Sequence, residues 1–273
     1  MKGRRTMTLG QNFRFGYWQS PPLERMKAIR RAGFDDVMLW WGQEYAKQDG
    51  EPEQLWRMAR EQGLAVRTAH FPSTNAHWLW LEGEPGQRYQ AALIQALRDC
   101  GELKIEHLVV HTTRQLITPP PNALGVERMG RALEEAQAQG VNIALENTRF
   151  LRYNQYLYQR LNSPRLKFCF DSGHANCYTP QEDPLALFGD KLCTMHLHDN
   201  YGPRAGDQHY PMGEGTVDFD ALFRRLARMN PESYNLESYL SPRFAGLSMQ
   251  DYLNRCYRGL TARIQWAGRQ SGG

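Results

Sequence analysis

The sequence lacks the features that mark membrane, secreted and nucleotide-binding proteins. No run of it approaches the roughly 20 apolar residues of a membrane-spanning helix. Its first ten residues are basic but lack the apolar stretch of a secretory signal. No glycine-rich loop indicates NAD or ATP, and the five cysteines show no C-x-x-C spacing, as is typical of thiols in a reducing compartment. We therefore expect a cytoplasmic enzyme without a membrane partner.

A strong charge of either sign is also absent. The formal net charge is +4, and the 33 lysines and arginines are spread along the chain, so nucleic acid is not the favoured partner. No repeat, low-complexity stretch or linker divides the 273 residues, a length that suits one large barrel of about 250 residues. We expect a single barrel domain over residues 12–268, between a flexible segment at 1–11 and a flexible tail at 269–273.

Short apolar segments and helical segments alternate eight times along the chain, which predicts the α/β architecture of a (β/α)8 TIM barrel. The predicted strands are Asn12–Trp18, Asp36–Trp41, Ala65–Phe71, His107–Thr112, Asn142–Asn147, Leu166–Asp171, Leu192–His198 and Ser233–Ser238. The predicted helices are Leu23–Ala32, Glu51–Gln62, Gln87–Leu103, Ala123–Gln139, Asn154–Leu161, Pro184–Phe188, Phe219–Met229 and Met249–Trp266. Gly33 and Gly140 follow two of these helices, where a left-handed residue is common.

Carboxylates and imidazoles recur at the ends of the predicted strands. They are densest from Phe168 to Thr216, in the segments FDSGH, MHLHDN and DQH and in the GEG that follows. Alternate residues of a barrel strand point inward, and the C-terminal ends of the strands form the catalytic face. Six of the eight strands place a ligand-type residue at that rim: His70, His111, Glu146, Asp171, His196 and Glu237. So many ionisable groups would be costly without a cation, so the pattern predicts a divalent-metal site.

The same motifs resemble those of the xylose isomerase-like TIM-barrel superfamily, and within it the sugar phosphate isomerase/epimerase group. The resemblance spans nearly the whole chain and rests on Glu146-Asn147-Thr148, Asp171–His174, His196–Asp199 and Asp207–His209 before GEG. It implies one Mn²⁺, Mg²⁺, Co²⁺ or Zn²⁺ ion held by Glu146, Asp171, His196 and Glu237. It also implies proton abstraction next to the carbonyl of a sugar or sugar phosphate through a metal-stabilised enediolate, with the two glutamates moving the proton.

Type-IV apurinic endonucleases share this fold and hold three zinc ions with five further ligands. The positions that match those ligands are His70, His111, His174, Asp207 and His209. They are expected to bind additional metal or substrate, and they keep a multinuclear zinc apurinic endonuclease or phosphodiesterase open as the alternative function. A related metal-dependent lyase or dehydratase is open too, because the same enediolate can expel a β-hydroxyl group. The remaining alternative is a metal-binding barrel without catalysis of its own.

The loops favour a small carbohydrate over a DNA duplex. The segment after His70 carries Trp78 and Trp80, which are expected to cover a polyol because indole faces stack on the apolar side of sugar rings. The alternative for these two residues is a contact in a homo-oligomer. His198 is expected to contact substrate or to support a ligand. The candidates for binding a substrate phosphate are Arg149 and Arg204.

Overall fold

Eight parallel strands form a closed barrel in the computed structural model, which describes residues 7–271. The strands are β1 Thr8–Asn12, β2 Asp36–Trp40, β3 Thr68–His70, β4 His107–Val110, β5 Asn142–Glu146, β6 Leu166–Asp171, β7 Leu192–Leu197 and β8 Ser233–Leu236. Each strand pairs with the next one in the chain, and β8 pairs with β1, so the sheet has no open edge. The predicted single-domain TIM barrel is confirmed.

Helices form the outer layer around the barrel. Within residues 7–271 the α-helices are α1 Pro22–Ala32, α2 Ala46–Asp49, α3 Pro52–Glu61, α4 Glu84–Glu102, α5 Ala123–Gln139, α6 Leu151–Arg160, α7 Ser172–Cys177, α8 Pro184–Phe188, α9 Phe219–Met229 and α10 Met249–Ser271. α10 packs against both α9 and α1, so the helical layer closes beside the junction of β8 and β1. None of the helices in this range is both long and apolar enough to cross a bilayer.

Helix boundaries follow from the local chemistry of the chain. Asn122 caps α5, because its side-chain oxygen accepts the backbone N–H of Gly125 at 3.1 Å. α1 and α5 end at Gly33 and Gly140, whose φ angles of 110° and 73° lie in the left-handed region that glycine adopts without steric cost. The helix ends predicted from these two glycines are confirmed.

The first strand lies earlier in the chain than the sequence predicts. The prediction of a strand over Asn12–Trp18 is wrong, because β1 is Thr8–Asn12. β1 contains Gly10 and two amide side chains, which carry little strand propensity. The aromatic residues that suggested a strand pack instead against the helical layer, where Phe15 stacks on Tyr252 at 6.3 Å. The predicted flexible N-terminal segment therefore overlaps β1.

The remaining predicted elements differ from the observed ones mainly at their ends. The predicted last helix ends at Trp266, whereas α10 continues to Ser271 and includes part of the predicted tail. Residues 1–6 and 272–273, which hold the rest of the two predicted flexible segments, lie outside the described residues.

Alternation along the strands decides what fills the barrel. Val109, Ala144 and Cys169 pack together inside it as a small cluster, separate from the main hydrophobic core between strands and helices. Strand register aligns them, because Val109 lies opposite Ala144 and Glu146 lies opposite Cys169. The next inward position along β5 after Ala144 is Glu146, at the strand's C-terminal end. The inward phase predicted for these strands is confirmed.

At the opposite end of the barrel, the buried carboxylate of Asp36 has a hydrogen bond to only one of its two oxygens within the described residues. Oδ1 of Asp36 accepts the backbone N–H of Arg67 at 2.9 Å, while Oδ2 has no hydrogen-bond partner among the described residues. Gly10 lets β1 approach this group closely: a Cβ there would lie 3.4 Å from Asp36 Oδ2 and 1.9 Å from Asn235 Oδ1. Burial raises the pKa of Asp36 to about 7, although hydrogen bonding to the Arg67 N–H opposes the rise.

We expect Asp36→Asn to stabilise the protein more at about pH 8 than at about pH 5. A carboxyl group whose folded pKa is raised from 3.8 to about 7 lowers stability as pH rises through that interval, because the folded state retains the proton. The neutral amide of asparagine removes this loss of stability, which is at most about 4 kcal/mol for a pKa that rises from 3.8 to about 7. Urea unfolding at both pH values measures the effect, and Asp35→Asn, at an exposed neighbour, is the control. An equal stability difference at both pH values would contradict the raised pKa.

Candidate metal centre

The four residues predicted as metal ligands lie together at the C-terminal ends of four neighbouring strands. Glu146 and Asp171 end β5 and β6, His196 lies near the end of β7, and Glu237 directly follows β8. Strand register contributes to this arrangement, because Asp171 lies opposite His196. All four residues are buried, and one ligand atom of each lies within 4.8 Å of those of the others. These four residues are called the central group below.

Two further groups adjoin the central group. The β3–β4 group consists of His70, His111 and the shared Glu146, whose Oε2 lies 3.2 Å from His70 Nε2 and 2.9 Å from His111 Nε2. The loop group consists of His174, His198, Asp207 and His209. The ligand atoms of each group again lie within 4.8 Å of one another. Every residue predicted as an additional ligand is therefore a member of one of these two groups.

His174 connects the loop group to the central group. Its Nδ1 lies 3.1 Å from Glu146 Oε1, and its Nε2 lies 3.1 Å from Asp207 Oδ2. The same oxygen of Asp207 accepts a hydrogen bond from His209 Nε2 at 3.0 Å. The three groups therefore form one continuous polar network across the C-terminal face of the barrel.

His198 lies within this network and does not reach the surface. The residue is 0% exposed, its Nε2 lies 3.0 Å from Asp171 Oδ2, and its ring stacks on His209 at 3.9 Å. It also packs on α7, where a Cβ at Gly173 would lie 1.9 Å from its ring. His198 is not among the residues that line the cleft and it contacts Asp171, and its predicted support of a neighbouring ligand stays a prediction.

Protonated imidazoles and ionised carboxylates balance each other in this network. Burial disfavours a charge on His196, but Cys169 and the carboxylates of Glu237 and Glu146 raise the pKa of His196 well above its ordinary value. Burial also disfavours a charge on Glu146, but the positive charges of His196 and His111 hold the pKa of Glu146 well below its ordinary value. A metal ion would replace the imidazole protons as the source of positive charge.

The geometry of the central group fits a bound cation. His196 Nδ1 lies 3.0 Å from Glu237 Oε2 and 3.3 Å from Glu146 Oε1, yet neither of its ring nitrogens makes a hydrogen bond to another residue of the described range 7–271. Oε1 of Glu146 is buried without a hydrogen bond as well. Buried polar atoms that converge without bonding one another are arranged as ligands are around an ion. Three carboxylates and one imidazole suit Mn²⁺ or Mg²⁺, and the two imidazoles of the β3–β4 group suit Zn²⁺.

Backbone carbonyl groups orient three of the histidines, one of which is His174, whose Nδ1 lies 3.0 Å from the carbonyl oxygen of Asn147. His70 Nδ1 lies 2.8 Å from the carbonyl oxygen of Phe71, and His209 Nδ1 lies 3.0 Å from that of Glu237. When Nδ1 carries the proton and donates it to the carbonyl, Nε2 is left facing the carboxylates as an unprotonated ligand atom. His209 also has a φ of 51°, a left-handed conformation that a non-glycine residue keeps only where its surroundings impose it.

One carboxylate closes the loop between β7 and α9, which carries three of the four residues of the loop group. Asp199 Oδ2 accepts the backbone N–H groups of Gly213 and Gly215 at 2.9 and 2.8 Å, and its Oδ1 accepts that of Val217 at 3.0 Å. A Cβ at Gly215 would lie 2.2 Å from the carbonyl oxygen of Asn200, so glycine is required for this close approach. The MHLHDN and GEG segments thus act together to shape the loop.

A cleft of about 910 Å³ opens above the three groups. Aromatic side chains form part of its wall: Trp40 stacks on His70 at 4.1 Å, and Tyr239 stacks on His209 at 4.7 Å. The other lining residues that the sequence analysis did not identify include Tyr45, Ser73, Thr113, Arg114 and Tyr178. Most of them belong to loops, where no periodic pattern indicates direction. The position of Trp40 at the C-terminal end of a strand was the one signal that could have identified a wall residue.

The predicted tryptophan lid does not cover this cleft. Trp80 is 2% exposed and donates its indole N–H to the carbonyl oxygen of Thr112 at 2.7 Å, within the main core. It packs on Gly125, where a Cβ would lie 2.2 Å from its ring. Trp78 borders a separate groove of about 660 Å³ that also contains Trp41. Neither of these two tryptophans lines the cleft, whereas Trp40 and three tyrosines do, so the lining of the cleft gives no support to the predicted contact of Trp78 and Trp80 with substrate.

Comparison with known proteins agrees with this architecture. Residues 26–246 match the family described as xylose isomerase-like TIM barrel. The uncharacterized protein y4fM of Sinorhizobium fredii is 30% identical over 78% of this chain and 82% of its own length. A D-tagatose 3-epimerase-like protein superposes with a TM-score of 0.76 at 17% identity, over 97% of this chain and 100% of that one.

A second solved structure, the D-psicose 3-epimerase of Clostridium cellulolyticum H10 with D-tagatose, superposes with a TM-score of 0.73 at 13% identity. The superposition covers 96% of this chain and 99% of that one. At such identities the two structures show a shared fold. The family match extends over most of the chain. The closed barrel and the motif residues gathered at its rim agree with it. This protein therefore belongs to the xylose isomerase-like TIM-barrel family.

Proposed function

We propose that this protein is a metal-dependent isomerase or epimerase that moves a proton next to the carbonyl group of a small carbohydrate. The observation that carries the proposal is the central group: two glutamates, an aspartate and a histidine from four consecutive strands converge within 4.8 Å below an open cleft. A divalent ion held there would act as a Lewis acid on the carbonyl and hydroxyl oxygens of the substrate.

Glu237 is the residue best placed to accept the proton. It lines the cleft, whereas Glu146 lies deeper, with its Oε2 held by two histidines. Burial disfavours the charge on Glu237, but His196 and then His209 hold its pKa at about 2, so the carboxylate is ionised at neutral pH. Glu146 comes from β5, on the other side of the barrel interior, and is assigned the return of a proton to the opposite face of the carbon, a proton that it must first take from a neighbouring protonated histidine because its own pKa is low.

The cleft wall supports a sugar as the substrate. Trp40 and Tyr239 present rigid aromatic rings beside the polar floor, which suits a molecule with one apolar face and many hydroxyl groups. The similar D-psicose 3-epimerase was solved with D-tagatose, so this fold accommodates a sugar of the proposed size.

Exchange of substrate protons with solvent tests the proposal directly. The protein is loaded with Mn²⁺, Co²⁺, Mg²⁺ or Zn²⁺ and incubated in D₂O with a panel of ketoses, their phosphates and their uronates, and proton NMR follows each sugar. We expect deuterium at one carbon next to the carbonyl, together with a new epimer or isomer. Glu237→Gln should slow both by at least about 100-fold. Wild-type protein that exchanges and converts none of these sugars would refute the proposal.

The β3–β4 and loop groups favour a second candidate, a multinuclear zinc phosphodiesterase that cleaves abasic DNA. Glu146 contacts His70 and His111 through Oε2 and faces His174 and His196 through Oε1, a bridging arrangement that a single-ion site does not require. Elemental analysis of protein purified without added metal separates the candidates. About one ion per chain supports the isomerase; about three zinc ions, cleavage of an abasic duplex and binding that weakens steeply with salt support the phosphodiesterase.

A further inference from the structure

We propose that Arg114 and Arg149 form an anion subsite at the mouth of the cleft, which selects carbohydrates that carry a phosphate or carboxylate group. The inference rests on the proposed carbohydrate function and names the class of its substrate. Both arginines line the cleft that also contains residues of all three ligand groups: His111, His174 and Glu237. Arg204, the other candidate from the sequence, does not belong to the lining of this cleft.

Strand register brings the two arginines side by side. β4 and β5 pair in parallel, with Val109 opposite Ala144. Thr113 and Thr148 continue this register beyond the strands, and their buried hydroxyl oxygens lie 3.3 Å apart. The next residue of each loop is one of the two arginines. Their main chains are therefore held next to each other by a fixed contact below them.

Neither arginine pairs with a carboxylate in the part of the chain that the structure describes. Arg114 donates from Nη1 to Ser73 Oγ at 3.4 Å and to Thr74 Oγ1 at 3.2 Å, and it reaches the carboxylate of Glu44 only through the Thr74 hydroxyl. The guanidinium carbon of Arg149 lies 3.9 Å from the centroid of the Tyr178 ring. Two guanidinium groups that make no direct ion pair among the described residues, both lining one cleft, attract an anion and can each donate N–H groups to it.

Tyr178 connects the subsite to the ligand groups. Its ring stacks on His174 at 5.1 Å and carries the Arg149 guanidinium, so a stack of three groups runs between the cleft mouth and the loop group. Each arginine follows a residue of the β3–β4 group by three positions, which corresponds to about 10 Å of extended chain. A sugar with its carbonyl end at the central group would extend its far end toward these arginines.

Binding measurements on metal-loaded protein test the subsite. Isothermal titration compares D-fructose with D-fructose 6-phosphate and with D-fructuronate, so that the neutral sugar, the phosphate and the carboxylate are separate arms. We expect at least one anionic sugar to bind about 10-fold or more tightly than the neutral one. The double variant Arg114→Gln/Arg149→Gln should lose this preference and retain the affinity for D-fructose. The matched control, Arg131→Gln/Arg152→Gln, changes two exposed arginines of the following helices and should keep the preference.

Each other outcome overturns the subsite. Equal affinity for charged and neutral sugars, binding of none of them, or a preference that survives in Arg114→Gln/Arg149→Gln would show that these arginines do not select an anion. The result is separable from that of the proposed function. Arginine-dependent binding without deuterium exchange would leave the subsite in place and refute the isomerase, whereas deuterium exchange together with a preference for anionic sugars that survives in the double variant would do the reverse.

Discussion

Glu146→Gln is expected to reduce turnover by about 1,000-fold or more and to remove tightly bound metal. Glu146 is the one residue that belongs to both the central and the β3–β4 group, and its two oxygens face four histidines. An amide keeps the size of the side chain but replaces one anionic oxygen by an N–H₂ group, which cannot bind a cation. The variant therefore loses a ligand at two groups at once, and elemental analysis together with the deuterium-exchange assay measures both effects.

Glu214→Gln is the matched control for this substitution. Glu214 is also a buried glutamate near the rim of the barrel, but both of its oxygens lie 2.8 Å from the hydroxyl of Ser241 and it belongs to none of the three groups. We expect it to bind metal as the wild type does. If Glu146→Gln folds with a normal circular dichroism spectrum and still retains full metal content, Glu146 is not a ligand and the central group is wrong.

The thermal stabilisation that a metal ion gives is expected to increase between about pH 6.5 and about pH 9. In the metal-free protein, burial opposes the charge of His209, but Asp207 raises its pKa to about 9, and the pKa values of His174 and His196 are raised well above the ordinary value. Stability from such raised pKa values is complete below about 6.5 and is lost as pH rises through the folded pKa. A metal ion competes with the same protons, so its affinity rises by up to about 10-fold per pH unit for each proton displaced.

Thermal melts with and without saturating Mn²⁺ across this pH range measure the effect. His209→Gln removes one of the competing protons and one loop-group residue, so the increase with pH should become smaller. His77→Gln, which lies outside the three groups and whose pKa burial lowers, should leave it unchanged. A metal-induced shift in Tm that is constant over the range would show that the ion does not displace imidazole protons.

The gathering of the candidate ligands at one rim could be predicted because strand alternation and parallel pairing determine it. In strands β4 to β8, apolar residues alternate with the inward positions that end at a histidine or a carboxylate, and parallel pairing places those ends on one rim. The prediction for β1 failed because the strand contains Gly10 and the buried polar residues Gln11 and Asn12 in place of the usual apolar ones. The aromatic segment after it had the higher strand propensity.

The cleft wall could not be predicted in the same way. Trp78 and Trp80 follow a ligand-bearing strand, as lid residues do, but tertiary packing directs Trp80 into the core against Gly125. Trp40 and Tyr239 lie on the cleft because their rings stack on histidines of distant segments. Such contacts between loops depend on the closed barrel and leave no periodic trace in the sequence.

The hydrogen bonds of Asp199 allow the loop between β7 and α9 to change without a change in the barrel strands. The backbone N–H groups of Gly213, Gly215 and Val217 all donate to the carboxylate of Asp199. These hydrogen bonds close the base of the loop whatever residues lie between Asp199 and Gly213. Insertions or replacements near Gly202 and Gly206 would alter the loop group and the cleft while the β7 and β8 ligands kept their places. The number of ions bound and the choice of substrate can therefore diverge among related chains without any change in the barrel that supports them.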